Sequence, residues 1–294
     1  MNILILGKGY VGNYINDRLI KTARWEEPTK LASVDFESRK QFDYTNLNTL
    51  AKRFESKKYD YVINCSGFTG RPNVDEGENK KDLCFKLNTF VPFGVSSMCK
   101  LHDINYIHIS SGCIYTGYTK QYTEEDEPNF GLFNEESSTY SKSKHAYEIG
   151  SDHGLTLRIR MPFCDKLHER SVLTKLLNYD RLVNYVNSKT YIPDLVDFVE
   201  MIVHKGRSTK TKSLLNFVNP KPLLTIQVTD IMQNCGLYNT NWEWVQFEEL
   251  NTKANRSNCI LSTEKLEKEY GFKLLDEEVA IEKAIVNNIE CVGK

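Results

Sequence analysis

The residues best suited to redox-linked proton chemistry lie in one stretch, Ser110–Lys144. Tyr140 and Lys144 are four positions apart, so on a helix they share one face, one turn apart. An ammonium beside a phenol favours the phenolate, which predicts a lowered pKa for Tyr140 and proton exchange near neutral pH. Ser111 could hold the oxygen of the same bound carbonyl. Tyrosine and lysine are also common on solvated helix faces. The surrounding sequence therefore has to decide between a catalytic pair and an ordinary exposed helix face.

A glycine-rich stretch near the start of the chain indicates a dinucleotide site. It follows an apolar run, Asn2–Leu6, and precedes apolar residues at helical spacing, which is the context that G-x-G-x-x-G requires. The first glycine makes the turn, the second lets the backbone approach a pyrophosphate, and the third lets helix and strand pack closely. We assign these residues to the cofactor: Gly7, Gly9, Tyr10, Val11 and Gly12.

The next predicted strand, Lys30–Val34, leads into residues that bear on the choice of cofactor. Asp35 directly after it would bind ribose hydroxyls and favour NAD(H). Arg39 and Lys40 follow closely and could pair with the 2′-phosphate of NADP(H), or could equally be solvated. Asp43 is placed in the same predicted site. Both cofactors therefore remain open from the chemistry alone.

Small residues follow the third predicted strand, Tyr59–Asn64. A backbone without large side chains can lie against a cofactor, so three residues are assigned to it: Cys65, Ser66 and Gly67. Arg71 comes shortly after them on a glycine-proline loop, which suits contact with an anionic ligand. An ordinary surface arginine is the alternative.

Strands and helices alternate through the first half of the chain. Predicted helices at Asn46–Phe54 and Asp82–Cys99 separate the strands already named from two more, Asn105–Ile109 and Leu155–Ile159. This βαβ alternation predicts an α/β fold, a Rossmann doubly wound parallel sheet. Ligands bind such sheets at the carboxyl ends of the strands.

The pattern loosens after Pro162 and predicts a smaller mixed C-terminal lobe. We expect residues 1–163, with about 182–218, to form the dinucleotide-binding domain, and residues 164–181 and 219–294 to form the substrate-binding lobe. Trp242, Trp244 and Phe247 are expected in the core of that lobe. The remaining predicted elements are a strand at Leu214–Val218 and helices at Val172–Tyr179, Leu195–Val203, Leu224–Cys235, Ser262–Tyr270 and Glu277–Ile289.

Composition narrows the functional class. The chain has 294 residues and a formal net charge of −1, with acids and bases interspersed, which predicts neither a nucleic-acid partner nor an anionic membrane surface. Its eight cysteines are scattered, and its six histidines lack metal-ligand spacing, so we expect reduced thiols, no metal and a cytoplasmic location.

These motifs resemble the extended short-chain dehydrogenase/reductase superfamily. Within it, the chain resembles the reductases of 4-keto-6-deoxy nucleotide sugars, above all the bifunctional UDP-4-keto-6-deoxy-D-glucose 3,5-epimerase/4-reductases that complete UDP-L-rhamnose synthesis. One departure is that Gly7 and Gly9 are spaced one residue closer than the family pattern. The stretches that carry the resemblance are Thr69–Asp75, Gly112–Ile114, Thr139–Lys142, Leu157–Pro162 and Asn255–Asn258.

The resemblance implies a role for each catalytic candidate. Tyr140 would donate a proton to the C4 oxygen, Lys144 would tune it and hold the nicotinamide ribose, and Ser111 would bind the C4 carbonyl. Cys113 and Lys175 match the positions that serve epimerisation. Thr69, Arg71, Asn73, Arg256 and Asn258 are the matching candidates for substrate contacts.

The chemistry beneath the resemblance is consistent with one site for two reactions. A C4 ketone acidifies the protons on C3 and C5, so inversion requires an acid and a base on opposite sides of the ring. A thiol such as Cys113 can shuttle protons, and a desolvated Lys175 can exchange them. Which of the two acts on C3 or C5 is open.

Alternative functions remain at this point. A 4-reductase that receives an already epimerised sugar, as in the dTDP-rhamnose pathway, would not require a thiol at Cys113. A non-catalytic, cofactor-binding regulatory subunit of the same fold is less compatible with the intact Ser111, Tyr140 and Lys144. UDP or dTDP as the nucleotide and a possible homodimer are also open.

Overall fold

The computed structural model describes residues 1–25 and 31–292. Its strands are β1 (Asn2–Leu6), β2 (Ser33–Glu37), β3 (Tyr61–Asn64), β4 (Asn105–Ser111), β5 (Gly117–Tyr122), β6 (Leu155–Ile159), β7 (Pro162–Phe163), β8 (Arg181–Leu182), β9 (Thr190–Tyr191), β10 (Ser213–Asn216), β11 (Glu243–Trp244) and β12 (Cys259–Leu261).

The helices lie between and after these strands. They are α1 (Tyr10–Trp25), α2 (Leu47–Ser56), α3 (Glu76–Asn79), α4 (Lys81–Phe85), α5 (Val91–Leu101), α6 (Thr139–Gly150), α7 (Val172–Asn178), α8 (Ile192–His204), α9 (Thr225–Asn234), α10 (Glu264–Tyr270) and α11 (Glu277–Val292), with a π-helical turn at Lys86–Phe90 and a 3-10 turn at Phe247–Glu249.

Six strands form one parallel sheet in the order β2-β1-β3-β4-β6-β10. The chain passes from β1 to β2 on one side and returns to β3 on the other, so the direction of winding reverses between β1 and β3. Open α/β sheets bind ligands at such a reversal, outside the carboxyl ends of the strands. The predicted α/β, doubly wound parallel fold is confirmed.

Helices cover both faces of the sheet because successive strand side chains point to opposite sides. Ile3 and Ile5 of β1 pack with the cluster that includes residues of α1 and α8. Leu4 and Leu6 pack on the other face with residues of α2 and α5. The sheet is therefore a rigid, buried platform whose carboxyl edge presents the loops of the site.

A separate apolar cluster joins α7, α9 and α11. The prediction that three aromatic residues form this core is wrong for Trp244, which is 40% exposed on the two-residue strand β11. Trp242 packs at the edge and donates its indole N–H to the carbonyl of Leu176 at 2.8 Å. The centre is instead aliphatic, with Val228, Met232 and Ile281.

The predicted bounds of the second strand are wrong. Lys30 lies outside the described residues, and β2 runs from Ser33 to Glu37. Its register sets Asp35 opposite Leu4 and Glu37 opposite Leu6. Asp35 therefore lies within the strand, with its carboxylate paired with Arg53 of α2 and with Lys57 just after that helix, and the acid at the carboxyl end is Glu37.

Other predicted elements are present with small changes of bounds. The helix expected over Asp82–Cys99 is divided by the π-helical turn, and β4 extends two residues further than expected, to Ser111. Within the described ranges, no helix is long and apolar enough to cross a bilayer. In those same ranges no group of three or more His, Cys, Asp or Glu side chains is arranged to hold a metal ion.

Candidate active site

Ser111, Tyr140 and Lys144 lie together at the carboxyl edge of the sheet. Ser111 is the last residue of β4, and α6 starts beside it with the Ser138 hydroxyl accepting from the amide of Ser141 at 3.1 Å. The side chain of Ser111 lies close enough to the Tyr140 phenol to lower its pKa. The Lys144 ammonium is 6.0 Å from the centre of the Tyr140 ring. The helical spacing thus produces the arrangement that the sequence predicts.

The expected direction of the Tyr140 pKa shift is wrong. Burial raises the pKa of the Tyr140 phenol, and the nearby Cys113 adds to that shift while Ser111 opposes it. Burial also lowers the pKa of Lys144 to about 8, so desolvation outweighs the effect of neighbouring charges on both groups. Tyr140 is therefore a protonated acid at neutral pH, beside an ammonium that is ready to lose its proton.

Two carboxylates fix the position of α6. Glu78 accepts from both the amide and the hydroxyl of Thr139, each at 2.7 Å, at the start of the helix. Glu148, one turn beyond Lys144, accepts three hydrogen bonds from Arg158 on β6, two at 3.1 Å and one at 2.6 Å. This ion pair is almost fully buried, and Arg158 also donates to the Tyr115 phenol. The start of α6 is thereby attached to α3, and its far end is attached to the sheet.

Asn88 is a site residue that the sequence analysis missed. It lies in the π-helical turn and exchanges two hydrogen bonds with the backbone of Phe68, 2.7 Å from the amide and 2.9 Å to the carbonyl. Its amide also donates to Ser143 of α6 at 3.0 Å. The signal was present, since a buried asparagine interrupts the apolar face of the predicted helix.

The glycine-rich loop has the geometry that a dinucleotide requires. Gly7 has a φ of +101°, and a Cβ there would meet the Ser66 amide nitrogen at 2.7 Å. A Cβ on Gly12 would meet the Gly7 carbonyl oxygen at 2.1 Å. A Cβ on Gly9 would meet nothing within 4 Å, which leaves its backbone open to a ligand beside the start of the 16-residue helix α1. These residues fit a pyrophosphate.

The side chains of Tyr10 and Val11 are occupied by packing. Tyr10 donates its hydroxyl to the sulfur of Cys164 at 2.9 Å and stacks on His168, with ring centres 4.2 Å apart. Val11 packs against the apolar cluster on the α1 face of the sheet. Any contact of these two residues with a cofactor would therefore come from their backbone.

Asp35 is already held by the protein. Its carboxylate pairs with Lys57 at 2.8 Å and with Arg53 at 3.2 Å, and it accepts from the Tyr59 hydroxyl. Arg53 also pairs with Glu37 at 3.1 Å. The carboxylates of Asp35 and Glu37 are thus partly neutralised by the basic side chains of Arg53 and Lys57.

Basic residues surround the open end of β2. Arg39 and Lys40 are exposed, and Lys8 of the glycine-rich loop has its ammonium 5.1 Å from the centre of the Phe36 ring. Asp43 is exposed and accepts from the amide and hydroxyl of Thr45 at 3.1 and 2.6 Å, which shapes its own turn. Lys8 was missed in the sequence, although its place between two glycines is visible there.

The loop after β3 passes between the glycine-rich loop and α6. Cys65 packs beside Gly12, and burial raises the pKa of its thiol to about 12, so it is unreactive. The Ser66 hydroxyl donates to Asn64 at 2.5 Å. A Cβ on Gly67 would be 3.4 Å from the Lys144 ammonium, so this backbone adjoins Lys144.

Cys113 and Lys175 are brought to the same space. Cys113 is half-buried, two residues after Ser111, and its amide donates to the Ser111 hydroxyl oxygen at 3.2 Å. Burial lowers the pKa of Lys175, as do the charges of Arg170 and Arg256, and Cys113 opposes this shift. The thiol of Cys113, just after β4, and the amine of Lys175 on α7 therefore interact electrostatically.

Arg256 and Asn258, the two C-terminal candidates for substrate contacts, differ in whether their side chains are free to bind a ligand. Arg256 pairs with Asp75 at 2.8 Å and donates to the Ala254 carbonyl at 2.7 Å, with 24% of its side chain exposed. Its coupling to Lys175 places it beside the site. Asn258 accepts from Asn187 at 2.8 Å. Arg256 therefore keeps exposed donors, whereas Asn258 is engaged in a structural contact.

The loop of Thr69, Arg71 and Asn73 faces the segment before α7. Thr69 accepts from Arg170 at 2.9 Å, and Arg71 pairs with Glu169 at 3.3 Å while its side chain stays 78% exposed. The Asn73 side chain accepts from the amide of Asp75 at 2.8 Å. Arg71 is thus available to an anionic ligand, and Asn73 shapes its own loop.

Comparison with known proteins identifies the family. Residues 1–289 match the RmlD substrate-binding domain. A trifunctional UDP-glucose 4,6-dehydratase/UDP-4-keto-6-deoxy-D-glucose 3,5-epimerase/UDP-4-keto-L-rhamnose-reductase of Arabidopsis thaliana is 30% identical over 253 residues, 81% of this chain and 36% of that protein. This chain therefore spans about a third of that relative. A bifunctional dTDP-4-dehydrorhamnose 3,5-epimerase/dTDP-4-dehydrorhamnose reductase of the same plant is 29% identical over 74% of this chain and 73% of its own length.

Solved structures share the fold. A UDP-rhamnose synthase from Acanthamoeba polyphaga mimivirus superposes with a TM-score of 0.83 at 24% identity, covering 98% of this chain and 99% of that one. A dTDP-4-dehydrorhamnose reductase from Bacillus anthracis, solved in complex with NADP, has a TM-score of 0.79 at 16% identity, covering 98% and 99%. The family match over nearly the whole chain shows that this protein belongs to the RmlD substrate-binding-domain family.

Proposed function

We propose that this chain is a nucleotide-sugar epimerase and reductase that converts UDP-4-keto-6-deoxy-D-glucose to UDP-L-rhamnose with NADPH. The observation that carries the proposal is the position of Cys113. Cys113 comes two residues after Ser111, at the end of β4, and it acts electrostatically on both Tyr140 and Lys175. The groups suited to carbonyl reduction and those suited to proton exchange on carbon therefore surround one space.

The reductase half uses three residues. Ser111 and Tyr140 bind the C4 oxygen by donating hydrogen bonds, and the Tyr140 phenol, protonated at neutral pH, gives its proton to that oxygen. Lys144 then restores the proton to Tyr140, since its own pKa of about 8 makes the transfer easy. A nicotinamide dinucleotide in the cleft would supply the hydride that C4 receives.

The epimerase half uses the same carbonyl contacts. With the C4 oxygen held by Ser111 and Tyr140, loss of a proton from C3 or C5 places the electron pair on that oxygen as an enolate. One of Cys113 and Lys175 removes the proton and the other gives a proton to the opposite face of the carbon. The first group then holds an extra proton and the second lacks one, and proton exchange with solvent restores both. Burial favours the neutral amine of Lys175, which is the form that accepts a proton.

The cofactor of this proposal is NADPH. Lys8 and Arg39 bring positive charge to the open end of β2. The acids of that strand already have partners, since Asp35 pairs with Lys57 and Glu37 pairs with Arg53. A 2′-phosphate would therefore meet cations with little opposing charge. NADH is the alternative cofactor, and a comparison of kcat/KM for NADPH and NADH distinguishes the two.

The UDP preference and the division into lobes belong to the proposal too. The plant relative's name includes UDP-4-keto sugars, and in this chain Arg256 and Arg71 keep exposed guanidinium groups for a diphosphate. In this arrangement residues 164–181 and 219–294 hold the nucleotide sugar, and residues 1–163 with about 182–218 hold the cofactor.

A homodimer completes the proposed organisation. Phe90, Phe93 and Ile149 are 66%, 41% and 49% exposed along the π-helical turn, α5 and α6. The Phe93 ring approaches the end of α6, 3.6 Å from a Cβ on Gly150, so these helices offer one apolar face that a second copy could cover by two-fold symmetry. Light scattering of the wild type and of Phe90→Glu tests this, since only the wild type should have twice the monomer mass.

The proposed function is tested by one incubation. The protein is mixed with UDP-4-keto-6-deoxy-D-glucose in deuterated water, with and without NADPH, and the sugar is analysed by NMR. Deuterium at C3 and C5, with UDP-L-rhamnose only when NADPH is present, is the expected result. Tyr140→Phe is the matched control for reduction, because it keeps the ring and removes the acid.

Other outcomes distinguish the alternatives. Reduction without deuterium uptake would identify a 4-reductase only, of the dTDP-4-dehydrorhamnose reductase type. The same assay with dTDP in place of UDP shows which nucleotide is preferred. No turnover of any keto sugar would contradict the proposal and favour a non-catalytic, cofactor-binding subunit.

A further inference from the structure

Arg160 is a buried cation without an acidic partner. It lies between β6 and β7 and is 1% exposed. Its guanidinium donates to the Gly112 carbonyl at 3.1 Å, to the Ser257 hydroxyl and carbonyl at 2.7 and 3.0 Å, and to the Asn187 side chain at 2.7 Å. No ion pair within residues 1–25 and 31–292 includes it. A buried charge that is not ion-paired is costly, so its hydrogen bonds call for an explanation.

The peptide that joins Gly112 to Cys113 is held at both ends. Its carbonyl accepts from Arg160, and its N–H donates to the Ser111 hydroxyl oxygen at 3.2 Å. Close approach requires glycine, since a Cβ on Gly112 would lie 2.4 Å from a methyl group of Leu261 and 3.2 Å from Cγ of Arg160. This one peptide plane therefore connects a buried positive charge to the hydroxyl that faces Tyr140.

The direction of these hydrogen bonds determines what Ser111 can do. A cation on the carbonyl side polarises the peptide and strengthens its N–H as a donor. Because the Ser111 oxygen accepts that N–H, its own proton is left to be donated elsewhere. The proton then points to the side of Tyr140, where the C4 oxygen of a keto sugar would be bound.

We propose that Arg160 is a positioning residue that acts through the Gly112–Cys113 peptide to orient the hydroxyl of Ser111 and the side chain of Cys113. Its contacts with Ser257 and Asn187 fix this peptide against the segment that carries Arg256. The distance between the Gly112–Cys113 peptide and that segment is thereby held constant. The inference rests on the carbonyl-binding role of Ser111 in the proposed function, and it does not depend on the epimerase half.

The first test needs neither substrate nor cofactor. Hydrogen exchange of the Cys113 amide is measured in the wild type, Arg160→Lys, Arg160→Gln and Ser257→Ala. Loss of the guanidinium should speed exchange about tenfold or more, because the peptide is no longer held at its carbonyl and its N–H bond to Ser111 opens more often. Ser257→Ala keeps Arg160 and its bond to Gly112, so its exchange should stay within about threefold of the wild type.

Unchanged exchange in the Arg160 variants would overturn the inference. If neither variant folds, the double variant Ser257→Ala with Asn187→Ala is the second test, since it removes both side-chain acceptors of the guanidinium and leaves its charge. That double variant should speed exchange of the Cys113 amide by about tenfold, beyond the roughly threefold limit expected for Ser257→Ala alone, and no change there would equally contradict the proposal.

The second test asks whether Arg160 acts through Ser111. With a UDP-4-keto-6-deoxy sugar and NADPH, Arg160→Lys should lower kcat by about tenfold to a hundredfold and leave KM within about threefold. In a Ser111→Ala background the same change should cost about threefold or less, because the residue through which it acts is already gone. Losses that multiply would overturn the relay. A wild type that turns over no keto sugar would refute the proposed function, and the exchange measurement would still decide the inference.

Discussion

The Lys144 ammonium lies 6.0 Å from the centre of the Tyr140 ring. Burial raises the pKa of Tyr140 and lowers the pKa of Lys144. The phenol keeps its proton, whereas the pKa of the ammonium falls to about 8. In the proposed reduction the pair would act as an acid with a second proton donor beside it. Tyr140 could then donate a proton to the substrate and recover it from Lys144.

The first prediction concerns the pH dependence of reduction. Lys144 is protonated below about pH 8 and loses its proton above it, so kcat for reduction should fall by about tenfold per pH unit on the alkaline side. Stopped-flow measurements between pH 6 and 9.5 check this. Lys144→Arg keeps its charge across that range and should lose the alkaline decline, although its rates are lower. The same decline in both proteins would show that another group titrates.

The second prediction is that Lys144 costs stability. Its pKa is 10.5 when exposed and about 8 in the folded protein, so folding is opposed while both states are protonated. Lys144→Met should therefore raise the free energy of unfolding by about 3 kcal/mol at pH 7. The advantage should shrink from pH 8 to 10.5, as the folded and then the unfolded lysine become neutral.

Urea unfolding of the wild type and Lys144→Met at pH 7 and pH 9.5 measures that difference. No ion pair in the described chain includes Lys144, so the substitution leaves no carboxylate behind. A methionine variant that is less stable at both pH values would contradict the prediction.

The third prediction concerns the buried pair that anchors α6. Glu148 and Arg158 have side chains only 3% and 2% exposed, and Glu148→Gln leaves the arginine charge without its partner. We expect a loss of about 3 kcal/mol in the free energy of unfolding. The control is Asp276→Asn, which removes an exposed pair with Lys221 and should cost about 0.5 kcal/mol or less. Equal losses would show that burial does not set the strength of the Glu148 pair.

The fourth prediction concerns the choice of cofactor. Lys8→Ala and Arg39→Ala should each lower kcat/KM for NADPH by about tenfold, because each removes a cation near the 2′-phosphate. Turnover with NADH should change by about twofold or less, as it has no such phosphate. Lys40→Ala tests whether any exposed lysine nearby has the same effect. A wild type that prefers NADH would contradict the cofactor of the proposed function.

The parts of this protein that the sequence predicted are those set by local spacing. Tyr140 and Lys144 meet because four residues make about one helical turn, and Gly7 and Gly12 are required where the structure allows no side chain. Asp35 was placed at a strand end because an acid usually ends such a strand. The cations that pair with Asp35, Arg53 of α2 and Lys57 just after it, could not be assigned to that carboxylate from the sequence.

What the sequence could not supply depends on contacts between distant segments. Asn88 forms hydrogen bonds with Phe68 and Ser143. Arg160 binds both Gly112 and Ser257, and Ser257 is 97 residues after Arg160 along the chain. The type of each residue is visible in the sequence, but its partners are set by the packing of α6, the sheet and the C-terminal segment.

The most direct test of the central claim, that one site carries two activities, is the rate at which Cys113→Ala forms UDP-L-rhamnose from two substrates. It should reduce the already epimerised UDP-4-keto-L-rhamnose within about threefold of the wild type, since Ser111, Tyr140 and Lys144 remain. It should lose about a hundredfold or more with unepimerised UDP-4-keto-6-deoxy-D-glucose. Cys235→Ala, another half-buried thiol, should keep both rates. Full activity of Cys113→Ala on the unepimerised sugar would contradict the account.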